Sequence, residues 1–262
     1  MAGTSSCPPI NEIFLANVCN GIEDKSRKSG IPSDYYTPSG MGCIRSMYYK
    51  RRKVVPDNSD IAYADISCAD TGTRRHEAIQ DVLIWMTEHN NRFMYIDVDN
   101  YVKQKQKRGK CIDLVVLGKS GAETSLLDKK RNIKFRCDGI IYDKIDKLFY
   151  LFEFKNQISF KASGKKEVDP AHYCQVNCYC AELDLDKALV TYENRDTGEL
   201  YCPEVFKVSE YDKKLIMDKV DKCESFASKG TVPKRPTGLA AITCRYCDYK
   251  KTCKHDGSEG AE

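Results

Sequence analysis

Two apolar runs separated by a short charged segment constrain this chain more than any other feature. Ile133–Tyr142 and Leu148–Phe154 both read as strands, and Asp143-Lys144-Ile145-Asp146-Lys147 between them reads as their connection. With residues 144–147 as the hairpin loop, Asp143 faces Leu148. That register sets Asp138 opposite Glu153 on one sheet face, with Cβ atoms roughly 5 Å apart. The period of two puts Lys155 on the face of Glu153. Two carboxylates facing each other amid Ile140, Ile141, Leu151, Phe152 and Phe154 repel unless protonated or bridged by a cation. Oxygen ligands of this kind suit Mg²⁺ or Mn²⁺. A lysine beside them can hold a hydrolytic water or neutralise charge developing on a phosphate. A one-residue change in the loop flips the register and leaves a surface face with one Glu–Lys pair. The pattern alone leaves both arrangements open.

The flanking segments supply the rest of a core. Ala78, Ile79, Val82, Leu83 and Met86 recur at helical spacing, predicting a helix over Thr73–Met86 with Asp70 and Thr71 available as caps. His76 then lies on or near its buried face. A strand is expected over Cys111–Leu117, before the hairpin. Asp169-Pro170 reads as an N-cap and first helical residue of a helix reaching Leu183, and a strand follows over Lys187–Tyr192. Ser209-Glu210-Tyr211-Asp212 resembles a capping box opening a helix that Gly230 closes. The order is that of an α/β or α+β core with a cysteine-bearing tail. The charged insertion Lys119–Arg131 has no role assignable from sequence.

Of 262 residues, 41% are hydrophobic and 31% charged, which is enough apolar material for a core. Apolar stretches stay far below the roughly 18 residues of a membrane span, and the N-terminus lacks a basic segment followed by an apolar one. No membrane association and a cytoplasmic location are therefore expected. A net charge of +4 does not announce a polyanion binder. The basic runs Lys50–Lys53 and Lys103–Lys110 suit either a phosphate backbone or a solvated surface. Most of the 14 cysteines are scattered singly and read as reduced, packed thiols. Cys244, Cys247 and Cys253 differ, forming a C-x2-C-x5-C cluster.

Cys137-Asp138-Gly139 followed by Glu153-Phe154-Lys155 resembles the D…E-x-K signature of the PD-(D/E)xK nuclease superfamily. Gly72-Thr-Arg-Arg-His76 resembles the histidine motif of its RecB-like members, and Gln175-Val-Asn-Cys-Tyr179 resembles their Q-x3-Y motif. Cys43 with Cys244, Cys247 and Cys253 resembles the split cysteine set of the iron–sulfur branch. That branch includes the CRISPR-associated Cas-four nucleases and AddB-type nuclease domains. Cys137 stands where proline is usual, and no G-x4-G-K-[ST] helicase motif is present, so a full RecB or AddB chain is excluded.

The resemblance implies a restriction-endonuclease-like core, a mixed central β-sheet flanked by helices, over about residues 70–195 of a single nuclease domain spanning 1–262. It implies an iron–sulfur module formed by residues 40–53 with 231–256. The implied activity is a Mg²⁺- or Mn²⁺-dependent DNA exonuclease acting on single strands or DNA ends, 5′ to 3′. Its setting would be recombination or replication of a virus or mobile element, or CRISPR spacer processing. Its partners would be DNA, further copies of the chain, or an adaptation or recombination protein, in the host cytoplasm if viral. His76, Asp138, Glu153 and the backbone carbonyl of Phe154 would ligate the metal. Asp138, Glu153 and Lys155 would be catalytic, with Lys155 positioning water and stabilising the pentacovalent phosphate. Gln175 and Tyr179, one helical turn apart, would contact the scissile strand. Cys43, Cys244, Cys247 and Cys253 would hold a [4Fe–4S] cluster as a structural staple, a structural zinc being the competing reading. A catalytically silent nucleic-acid-binding subunit of the same fold is the alternative function.

Overall fold

The hairpin forms, and the strand entering it breaks in the middle. The computed structural model describes residues 9–26, 33–57, 63–120, 123–158, 167–237, 244 and 247–257. Along the chain run α1 (Ile10–Ser26), α2 (Ile44–Arg51), α3 (Tyr63–His89), β1 (Phe93–Ile96), α4 (Val98–Lys107), β2 (Leu114–Ser120), β3 (Glu123–Asp128) and β4 (Ile133–Cys137). There follow β5 (Gly139–Asp143), β6 (Leu148–Gln157), α5 (Tyr173–Leu183), β7 (Lys187–Asn194), β8 (Leu200–Tyr201), β9 (Phe206–Lys207), α6 (Glu210–Lys229) and α7 (Lys250–His255).

The central sheet has the order β1-β5-β6-β7-β8, with β9 also on β7. The β6–β7 pair is parallel and the others antiparallel, so the sheet is mixed. Asp143 faces Leu148 and Gly139 faces Phe152, the register expected from the turn. Alternation assigns the two faces. Ile141, Tyr150, Phe152 and Phe154 pack with Ile79 and Leu83 of α3. Ile140 and Leu151 join the larger cluster containing Val176, Cys180 and Leu183 of α5. The chain is thus a mixed α/β structure whose central sheet is flanked by helices. Among the described residues no helix is long and apolar enough to cross a membrane.

Several sequence boundaries are corrected. The single strand expected over Ile133–Tyr142 is two: β4 closes a separate antiparallel sheet, β2-β3-β4, and β5 belongs to the central sheet. The switch falls at Asp138, where two forces hold the backbone out of either ladder. Its carbonyl accepts from Gln80 Nε2 at 3.0 Å, and its Oδ2 accepts from the Phe154 N–H at 2.8 Å. Helix α3 begins ten residues before the expected Thr73, so Asp70 and Thr71 are interior residues and not caps. Thr71 and Thr73 turn their hydroxyls back onto the carbonyls of Ser67 and Ala69, so those hydroxyls are satisfied inside the helix. Val82 is 52% exposed and does not join the core. β2 starts at Leu114, because Cys111 sits in a left-handed turn at φ 53°. The helix expected from Pro170 opens as a 3-10 turn, Pro170–His172, capped by Asp169, before α5. The Ser209–Asp212 capping box and the left-handed Gly230 end α6 as read. The insertion Lys119–Arg131 supplies β3, the middle strand of the small sheet.

Gly139 is required beside the break. A Cβ there would run into the ring of Tyr95, whose hydroxyl accepts from Gln80 at 2.5 Å. Gly139→Ala is therefore expected to push Tyr95 aside and destabilise the fold by about 1–3 kcal/mol, the usual cost of overpacking. Chemical denaturation of the variant checks this, and an unchanged midpoint would refute it.

Candidate metal centre

Four elements converge on Asp138. Helix α3 brings His76, the switch between sheets brings Asp138, β6 brings Glu153 and Lys155, and α5 brings Gln175 and Tyr179. All six line one cleft, together with Thr37, Ser39, Lys134, Arg136 and Glu123. His76 Nδ1 lies 3.0 Å from Asp138 Oδ1, and its ring meets Phe154 edge-on. Glu153 is 2% exposed. Its Oε1 lies 2.7 Å from Lys155 Nζ and accepts from Gln175 Nε2 at 2.8 Å. Lys155 also donates to Gln175 Oε1 at 2.9 Å, and Gln175 Nε2 donates to the Tyr179 hydroxyl at 2.9 Å. Tyr179 in turn stacks on Phe135 of β4, fastening the small sheet to α5. Of Phe154, the backbone N–H is the group seen at the site, donating to Asp138.

One atom is out of balance. Glu153 Oε2 is buried and has no hydrogen-bond partner among the described residues. Leaving a carboxylate oxygen so placed costs a few kcal/mol in the absence of a cation or proton. The ionisation behaviour follows. Burial pushes Glu153 up to about 7, Asp138 adding to it and Lys155 and His76 opposing it. Burial alone would pull His76 down, but the hydrogen bond and charge of Asp138, with Glu153 and Glu123, leave it raised. Lys155 is likewise lowered by burial and raised overall by Glu153, Asp138 and Glu123, so it is a cation at neutral pH.

Both shifts have the same sign for cation binding. A cation needs Glu153 ionised and His76 neutral, and each raised pKa means the competent form is lost as pH falls through the folded value. Affinity for Mn²⁺ is therefore expected to rise steeply between about pH 6 and pH 8. Titrating Mn²⁺ binding at those two pH values checks it, and equal affinities would refute it.

Sequence reading passed over Glu123. It heads β3, and its carboxylate, that of Asp138 and a ring nitrogen of His76 lie within 4.8 Å of one another. It pairs with Arg136 at 3.0 Å. The available signal was the alternation of β3, whose Thr124, Leu126 and Asp128 are buried while Glu123, Ser125 and Leu127 are less so. Gln80, which clamps the Asp138 carbonyl, carried no signal beyond its place one turn after His76. Beyond the cleft, Arg75 forks onto Glu193, which also accepts from Asn156 beside Lys155.

Cys43, Cys244, Cys247 and Cys253 line a second, small cavity with Arg45, Arg235 and Lys250. Cys43 is the N-cap of α2, and Cys253 lies in α7. The two segments are tied: Asp57 accepts from the N–H of Lys251 and from the Thr252 hydroxyl at 2.6 Å, and Tyr49 donates to Asp256 at 2.9 Å. Arg45 is 0% exposed. Its Nε donates to the Tyr49 hydroxyl at 3.0 Å, while Nη1 and Nη2 have no partner among the described residues. Burial raises the Cys253 thiol, and Arg45 and Arg235 oppose that shift. The α5 cysteines pack in the core, Cys178 and Cys180 buried and Cys174 partly so, and Tyr173 meets Phe206 at a tilt.

No family model matches the chain, and no curated protein matches it. Solved structures that match include one described as "Crystal structure of SSO0001". It is 15% identical, the alignment covers 94% of this chain and 96% of that one, and the TM-score is 0.46.

Proposed function

We propose that this chain is a metal-dependent deoxyribonuclease of the PD-(D/E)xK superfamily, in its RecB-like iron–sulfur branch, with a restriction-endonuclease-like core. The observation that carries the reading is the unpartnered buried Glu153 Oε2, in a cleft that also holds Asp138, His76 and a charged Lys155. A Mg²⁺ or Mn²⁺ ion fits that donor set: hard oxygen ligands, one imidazole, and a carboxylate lacking a partner. His76, Asp138, Glu153 and the carbonyl of Phe154 are the groups that would hold it. When bound, such an ion lowers the pKa of water and neutralises charge on a phosphodiester.

The chain's own groups do the rest. Lys155 Nζ, fixed between Glu153 and Gln175, aims an ammonium into the cleft, where it orients water and offsets charge developing on phosphate. Gln175 serves as the brace, holding both Glu153 and Lys155 while resting on Tyr179. Lys134 and Arg136, exposed on β4, line the rim and suit a DNA backbone. We assign exonuclease action on single strands or DNA ends, 5′ to 3′, by the resemblance. The same source gives the setting: virus or mobile-element recombination or replication, or CRISPR spacer processing, in the cytoplasm, with oligomeric or adaptation partners.

A [4Fe–4S] cluster held by Cys43, Cys244, Cys247 and Cys253 belongs to this reading. Its support is Arg45, a buried guanidinium with two nitrogens unsatisfied among the described residues, in the cavity the four cysteines line. Such a group calls for an anionic acceptor, and a thiolate-ligated centre is one.

The test is end-labelled linear and circular single-stranded DNA with purified protein and Mn²⁺ or Mg²⁺. Loss of the linear substrate, abolished by EDTA, is expected, with the circle spared if an end is needed. Failure of the metal-loaded, cluster-bearing protein to cleave either substrate would favour the catalytically silent binding subunit.

A further inference from the structure

We propose that Glu123 is a further metal-ligating carboxylate of the Asp138 centre, delivered by the small sheet. The inference rests on the metal-centre reading above and extends it to a residue outside every motif that suggested it.

The argument is one of register. Asp138 lies at the junction of two sheets, just beyond the last pair of each. In the central sheet Gly139 faces Phe152, so one step further sets Asp138 against Glu153. In the small sheet Thr124 faces Cys137, so one step further sets Asp138 against Glu123. A single aspartate is thereby flanked by a glutamate from each sheet. Its two oxygens divide accordingly: Oδ2 turns to the β6 side, where it meets the Phe154 N–H, and Oδ1 turns to His76. The carboxylate of Glu123 stands on that second side, within 4.8 Å of ligand atoms of both His76 and Asp138.

Proximity of acids alone would not make a site. The independent sign is Glu153, whose buried Oε2 has no partner in the cleft that Glu123 also lines. Glu123, Asp138 and Glu153 share the cleft with Lys134, Arg136 and Lys155, so its formal charge balances, and it is the orphaned Glu153 oxygen beside the His76–Asp138–Glu123 group that calls for a cation. Arg136, 3.0 Å from Glu123, holds that carboxylate on the exposed side of β4 and must release or share it when a cation binds.

Binding of Mn²⁺ to the full chain, followed by the electron-spin resonance signal of the free ion, tests this without reference to activity. Glu123→Gln and Glu123→Asp are compared with wild type, with Asp138→Asn as the loss control. If Glu123 is a ligand, both variants bind about ten-fold or more weakly, since even outer partners of metal ligands change affinity by 10–100-fold. The aspartate variant keeps the charge and withdraws it by one methylene, so wild-type affinity for Glu123→Asp would reduce Glu123 to a distant charge and overturn the proposal. Arg136→Gln breaks the same ion pair and keeps the carboxylate; it is expected to bind at least as tightly as wild type. Equal weakening in Arg136→Gln and Glu123→Gln would mean that the pair merely braces the strands, which also overturns it. Unchanged affinity in both Glu123 variants with loss in Asp138→Asn removes Glu123 and leaves the centre standing. No Mn²⁺ binding by wild type removes both.

Discussion

Replacing Lys155 with alanine is expected to lower DNA cleavage by about 10²–10³-fold, the range seen when a preorganised electrostatic contact to a developing charge is removed. Lys155 is held on a strand by Glu153 and Gln175, and its pKa stays raised despite burial, so the ammonium is present throughout the neutral range. The same substitution takes a cation away from Glu153, whose pKa burial already pushes to about 7. Metal binding in Lys155→Ala should therefore weaken near pH 7 and recover at about pH 8.5, where the carboxylate is ionised again. Cleavage should not recover. Cleavage and Mn²⁺ binding measured side by side at both pH values separate the two roles. Recovery of cleavage together with binding would mean that Lys155 only tunes the carboxylate. Retention of cleavage within a few-fold at either pH would remove it from the chemistry.

The hairpin was legible because its determinants are local. With residues 144–147 as a four-residue loop between two apolar runs, Asp143 meets Leu148, and every later pair follows from a period of two. The same locality explains why the capping box at Ser209 and the shared helix face of Gln175 and Tyr179 could be read from short spacings, although the hydrogen bond between the latter two could not. The break at Asp138 could not. It depends on Tyr95 and Gln80, some 43 and 58 residues away, which occupy the space beside Gly139 and hold the Asp138 carbonyl. Once the break was missed, β4 was assigned to the wrong sheet, and Glu123 became invisible, because its relation to Asp138 exists only in the ladder of the small sheet. Helix α3 failed differently. Asp70 and Thr71 are good caps by type, but nothing upstream stops the helix, and Thr71 satisfies its hydroxyl within it. The cysteine cavity shows a third case: Cys244, Cys247 and Cys253 stand together in sequence, whereas Cys43 and Arg45 reach them through the docking of α2 on the tail.

Arg45→Met is expected to reverse its effect on stability according to whether the proposed cluster fills the cysteine cavity. Among the described residues Nη1 and Nη2 are buried donors without partners, each costing about 1–3 kcal/mol in the metal-free chain, so a thioether of similar length relieves that cost against the loss of one bond to Tyr49. The metal-free variant should melt at or above the wild-type temperature. If the proposed cluster is bound, the guanidinium in the same cavity would offset the negative charge of the four thiolates. Losing that charge should release or loosen the cluster, and with it the bridge that closes a loop of about 200 residues from Cys43 to Cys244. The loaded variant should therefore melt several degrees below wild type, about 2–4 °C for each kcal/mol lost. It should also retain less iron and sulfide, with weaker absorption near about 400 nm where thiolate-to-iron charge transfer falls. A metal-free variant that is clearly less stable would show that Arg45 is satisfied without any centre. Zinc in place of iron and sulfide would keep the sign reversal but replace the cluster by a four-thiolate zinc site. Equal metal retention in variant and wild type would leave the two unsatisfied nitrogens of Arg45 without the anion assigned to them here.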